Sequence, residues 1–199
     1  MKCIKCNSEN ANDANVCQEC GKSLHKKIFI SHHSKDKKIA NALLDLLIKV
    51  TRIDSHFCSS KYGNIKYGDK WYETIVEELE ECNYVICLLT ANSYEQPWIL
   101  YEAGIAKGME YKKEMNKNKK IICLLLDIPG DYLNTSPLSI NQYCVNDEKD
   151  ESLFTLMKQI YEDFHPNNKL CLPIEKSIKS DIQEFKKDLK KKTLKNISI

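Results

Sequence analysis

The chain has 199 residues, 42% of them hydrophobic, with a formal net charge of +2. That is apolar material for one ordinary domain with a small appendage, and too little charge to name a partner. Every basic residue except Arg52 is lysine; bidentate reading of phosphates and guanine edges favours arginine, so a nucleic-acid reader is disfavoured.

Four of the ten cysteines open the chain as two matched pairs, Cys3-x-x-Cys6 and Cys17-x-x-Cys20. Each C-x-x-C knuckle presents two thiolates, and two knuckles complete a tetrahedral zinc shell. Asn7 and Gly21 follow the knuckles; both residue types tolerate the left-handed backbone such turns need. A segment this short buries too little apolar surface to fold alone. Structural zinc is worth roughly 10–16 kcal/mol of apparent binding energy in small modules and substitutes for a core. Residues 1–24 are therefore read as a zinc ribbon with no open coordination position. Cys58, Cys82, Cys87, Cys123, Cys144 and Cys171 are scattered and read as free thiols in a reducing compartment.

Lys26–Ser31, KKIFIS, is a short apolar run and a predicted strand. Ile39, Leu43, Leu46, Leu47 and Val50 follow at helical spacing, with Asp36 placed as the cap or a first-turn residue of that helix. SHFC, ending at Cys58, is a short second strand, and a polar loop from Ser59 to Asp69 follows it. A second helix carries Ile75, Val76 and Leu79. YVICLLT, beginning at Tyr84, is the third strand. PWILYEAGIAKGMEY begins with Pro97, a residue favoured in a helix's first turn. KKIICLLLDI gives the fourth strand, INQYCV a weaker fifth, and DESLFTLMKQIYEDF an amphipathic helix. From about Pro166 the pattern changes; Ile178, Ile182, Phe185 and Leu189 then recur at helical spacing among lysines. The expected organisation is a zinc ribbon at 1–24, an α/β domain at 25–165 and a C-terminal helical extension at 166–199.

Strands alternating with helices predict a parallel sheet covered on both faces. Five strands in the flavodoxin-like order 2-1-3-4-5 suit this length. Ligands of such sheets bind beyond the carboxyl ends of the strands, between strands one and three, where the chain order reverses. Ser31, His32 and His33 leave strand one there. Ser60 and Lys61 lie in the loop after strand two. Trp98 and Glu102 lie four apart on the helix after strand three and share a face. His32 and His33 do not make a metal pair, because successive strand residues point oppositely; His32 is read as polar lining.

IFISHHSKD, then FCSSKYGNIKYGDKWYETIVEELEECNYVICLLT, then NSYEQPWILYEAGIA resemble the Toll/interleukin-1 receptor (TIR) domain in its bacterial form, from about Lys26 to Phe164. Gln96 stands where that family often has serine. The resemblance implies an enzyme that cleaves the nicotinamide–ribose bond of NAD, as a glycohydrolase or ADP-ribosyl cyclase making cyclic ADP-ribose. Glu102 takes the catalytic position. Ser31, His32, Ser60, Lys61 and Trp98 would contact substrate. It further implies prokaryotic anti-phage defence signalling, activation by self-association, and a loop from Ser59 to Asp69 that gates the site. The ribbon would dock a partner or sense a trigger. The alternative is a non-catalytic adaptor that only assembles with other TIR domains.

The opening MKCIKC has no apolar run behind it, and the longest such run, Ile121–Leu126, is far short of a membrane span. The expectation is a soluble cytoplasmic protein with no membrane partner.

Overall fold

The computed structural model describes residues 2–3, 6–11, 14, 16–21, 24, 26–54, 56–58, 71–110, 119–134, 136–140, 142–145 and 150–194. Ser60, Lys61 and the rest of the predicted gating loop lie outside that set. Five strands are seen: β1 (Ile28–Ser31), β2 (Phe57–Cys58), β3 (Tyr84–Leu89), β4 (Lys120–Leu125) and β5 (Gln142–Val145). All pairings are parallel, in the order β2-β1-β3-β4-β5. The doubly wound sheet expected from the alternating pattern is therefore the fold.

The helices are α1 (Lys37–Thr51), α2 (Trp71–Glu81), α3 (Pro97–Glu110), α4 (Glu151–Phe164) and α5 (Leu172–Leu194). Strand side chains alternate between faces, and this builds two separate apolar layers. Ile28, Ile30, Ile86, Leu88, Ile122 and Leu124 meet α1, α4 and α5. Phe29, Val85, Cys87, Leu89, Cys123 and Leu125 meet α2 and α3. Both faces of every central strand are thus dry, which is why these strands read as continuous hydrophobic runs.

Two junctions use left-handed residues other than glycine. Arg52, the lone arginine, ends α1 at φ 58°, its N–H donating to Ile48 O at 2.7 Å. Asp150 precedes α4 at φ 60°. Its carboxylate accepts from Gln183 Nε2 at 2.7 Å and from Lys186 Nζ, both on α5. With Ile178, Ile182 and Phe185 buried in the same cluster as Ile28 and Ile30, α5 is part of that core, packed on α1 and α4.

Asp36 differs from expectation. It occupies the position before α1, yet its side chain makes no cap bond to the helix. Both carboxylate oxygens are taken by residues of the turn after β3 instead.

Candidate functional site

β1 ends at Ser31. Alternation from Phe29 aims Ser31 at the α2/α3 layer, and it pairs with Cys87 on β3. α3 comes down on that layer with Ile99, Ala103 and Ala106 buried, at the i, i+4, i+7 spacing of a core-facing stripe. Glu102 is three residues after Ile99 and belongs to the same stripe. It is a carboxylate where the helix pattern calls for an apolar side chain, and it is completely buried.

Two donors hold it. Ser31 Oγ donates to Oε2, and Trp98 Nε1–H donates to Oε1 at 2.8 Å. Burial pushes the Glu102 carboxyl up to about 7, against the opposing pull of the Ser31 and Trp98 hydrogen bonds. Desolvation is the dominant cause because a carboxylate loses most of its hydration here and gains only neutral donors. A buried acid poised near neutrality, at the sheet edge where the chain order reverses, is a candidate functional group on physical grounds.

The structure brings Ser31, Trp98 and Glu102 together. His32 is buried on the β2 side, its Nδ1 3.7 Å from Cys58 Sγ. Burial lowers its pKa and favours the neutral ring. His33 turns outward and accepts the Lys35 N–H.

Two sets of contacts around the site escaped sequence reasoning. Tyr101 lies 5.4 Å from the Trp98 ring, centroid to centroid, and its hydroxyl donates to Tyr72 Oη at 3.1 Å. This makes a half-exposed aromatic ladder from the site across α3 to α2. Its signal was the i, i+3 spacing of Trp98 and Tyr101. The second is the bonding of Asp36 to Thr90 and Asn92, 54 and 56 residues further along the chain, which carries no local signal.

The four N-terminal thiols form a separate centre. Cys3 and Cys20 sulfurs are 3.6 Å apart, Cys6 and Cys17 sulfurs 3.5 Å apart, and all four lie within 4.8 Å of one another. Tetrahedral Zn–S bonds of about 2.3 Å would separate ligand sulfurs by about 3.8 Å, so the set fits zinc. Both knuckles are built alike. Asn7 N–H donates to Cys3 O and Gly21 N–H to Cys17 O, and these two residues are left-handed, at φ 59° and 69°. Ser8 Oγ sits 3.0 Å from the Cys6 and Cys17 sulfurs and pulls both thiols down, Cys17 to about 5. That favours the thiolates a metal requires.

A parallel sheet in this order, with helices on both faces, defines a doubly wound α/β domain. A model of the TIR domain family matches residues 28–156, and the chain belongs to that family. The chain is 31% identical over 153 residues to the uncharacterized protein YddK of Bacillus subtilis strain 168, covering 68% of this chain. It spans only 56% of that relative's length. Among solved structures it is similar to the CMP N-glycosidase BcmB of Clostridium botulinum, at 20% identity and TM-score 0.43, over 66% of this chain and 98% of that one. It is also similar to the TIR domains of the activated Roq1 resistosome recognising the effector XopQ, at 14% identity and TM-score 0.39, over 80% of this chain and 98% of that one. Among the described residues, no helix is long and apolar enough to cross a membrane.

Proposed function

We propose that this chain cleaves the N-glycosidic bond between nicotinamide and ribose in NAD, with Glu102 as the catalytic carboxylate. Nicotinamide bound to ribose is already cationic and departs as a neutral base, so no general acid has to protonate it, unlike the leaving group of an ordinary glycoside. Positive charge develops on the sugar, and an anion fixed in a water-poor site stabilises it. Ser31 and Trp98 orient that anion. Water then gives ADP-ribose; attack by the substrate's own adenine or a ribose hydroxyl gives a cyclic isomer. Ser31, His32, Ser60, Lys61 and Trp98 are the proposed substrate contacts.

The observation that carries this reading is the buried Glu102 carboxylate held from both sides at the carboxyl edge of the sheet. Because Glu102 is sealed, substrate reaches it only when its surroundings open. Self-association of TIR domains supplies that step, in a defence role against phage. The zinc-binding ribbon, residues 1–24, docks the partner or trigger, and residues 25–165 carry the chemistry.

The test is NAD turnover by protein clustered on a multivalent scaffold, beside Glu102→Gln. Loss of roughly 100-fold or more is expected in the variant. Undiminished turnover in the variant would remove Glu102 from its role. Absence of turnover by the clustered wild type would favour an adaptor.

A further inference from the structure

We propose that Asp36 is a positioning residue for the Glu102 site. Its carboxylate clamps the turn leaving β1 to the turn entering α3, and so sets the geometry in which Ser31 and Trp98 hold Glu102. The role assigned to the clamp rests on Glu102 being the working carboxylate.

Asp36 is fully buried. Removing a carboxylate from water costs several kcal/mol, in order of magnitude, unless hydrogen bonds compensate. The nearest use for an aspartate here, capping α1, is not made. Instead Oδ2 accepts from Thr90 Oγ1 at 2.8 Å and Oδ1 from Asn92 Nδ2 at 2.9 Å.

The partner turn is stiff. Thr90 N–H donates to Ser93 Oγ at 2.9 Å, Asn92 N–H to Thr90 Oγ1 at 3.0 Å, and Tyr94 N–H to Thr90 O at 3.1 Å. Gln96 N–H donates to Ser93 O at 3.1 Å, immediately before Pro97 opens α3. A pull on Thr90 or Asn92 is therefore delivered to the first turn of α3, where Trp98 sits. The β1 side and the α3 side are joined twice, by Ser31 to Glu102 and by Asp36 to Thr90 and Asn92. The second link holds the first in register, and small misplacements of a reacting group cost rate heavily.

Asn92 is exposed, so it can be changed with little effect on the core. Asn92→Asp sets a carboxylate against Asp36. Adding Asp36→Asn exchanges donor and acceptor and restores the pair. With clustered full-length protein, Asn92→Asp should lower kcat for NAD roughly tenfold with KM within about twofold, and the double variant should recover most of it. The indole N–H resonance of Trp98, told from the other tryptophan by Trp71→Phe, should move in Asn92→Asp and return in the double variant. An indole resonance that stays in place in Asn92→Asp overturns the proposal, whatever kcat does. So does a kcat that is unchanged, or that falls and is not recovered by the exchange. If the wild type turns over no NAD, the proposed activity fails separately. The positioning geometry then stands or falls on whether the indole resonance moves and returns.

Discussion

The zinc-type module and the sheet domain solve the same problem by opposite means. Among the described residues before Ile28, the only buried apolar side chains are Cys3 and Cys17, both members of the four-thiol cluster. The module therefore depends on four points, each indispensable. The sheet domain spreads its stability over two apolar layers, so each contribution is graded and losing one is survivable. Damage should thus be all-or-none in the module and proportional to buried volume in the sheet.

The strongest way to break that contrast is to remove the metal. Chelation, or Cys17→Ser, should cost the module on the order of 10 kcal/mol and unfold it. The main melting transition of the sheet domain should stay within about 2 °C, since distant sites contribute independently. Zinc content and the amide spectrum of residues 2–21 would report the first, calorimetry the second. A joint collapse would show one cooperative unit.

Next comes Phe185→Ala on α5. It should cost about 3–5 kcal/mol, read from the midpoint of urea unfolding. A cost under about 1 kcal/mol would mean that α5 is an ornament on the domain and not part of its core.

Glu102→Gln should act in the other direction. Burial raises the Glu102 pKa from 4.5 to about 7, so the folded state binds more protons than the unfolded one between those values. Its stability contribution is full below pH 4.5 and is lost as pH rises through the window. The amide, which cannot ionise, should therefore be more stable than the wild type by about 1–3 kcal/mol at pH 8, with the gap closing in acid. Turnover by the wild type should rise through pH 7 as the carboxylate forms. Melting curves of both proteins at pH 4, 6 and 8 check the sign, and a gap that widens in acid would refute it.

The smallest effect is expected at Lys49. Its ion pair with Glu184 is 2.7 Å long, with both side chains largely exposed. Lys49→Met should change stability by no more than about 0.5 kcal/mol and lose even that in high salt.

Much of this was legible in the residues, for identifiable reasons. The strand order followed from apolar runs alternating with amphipathic helices, because each central strand is dry on both faces. The position of Glu102 was legible from the strand order, which brings the start of α3 to the switch point, and from Trp98 four residues before it; its place in the buried stripe of Ile99, Ala103 and Ala106 emerges only in the folded chain. Boundaries were less so. The helical spacing of α5 is readable only from Ile178, but the helix begins at Leu172, with Pro173 inside its first turn, where proline's missing N–H is harmless. β1 and β5 are each two residues shorter than their apolar runs suggested. Asp36 was read as a helix cap because capping is a local rule. Its actual partners, Thr90 and Asn92, are contacts of the folded chain, and no local pattern encodes them.

The family match stops at residue 156, inside α4, whereas Ile160, Tyr161, Ile178, Ile182 and Phe185 are buried further along. A recombinant fragment trimmed to the recognised motif would lose α5, bare the apolar faces of α1 and α4 that it covers, and precipitate. A useful truncation should keep the chain at least to Leu194.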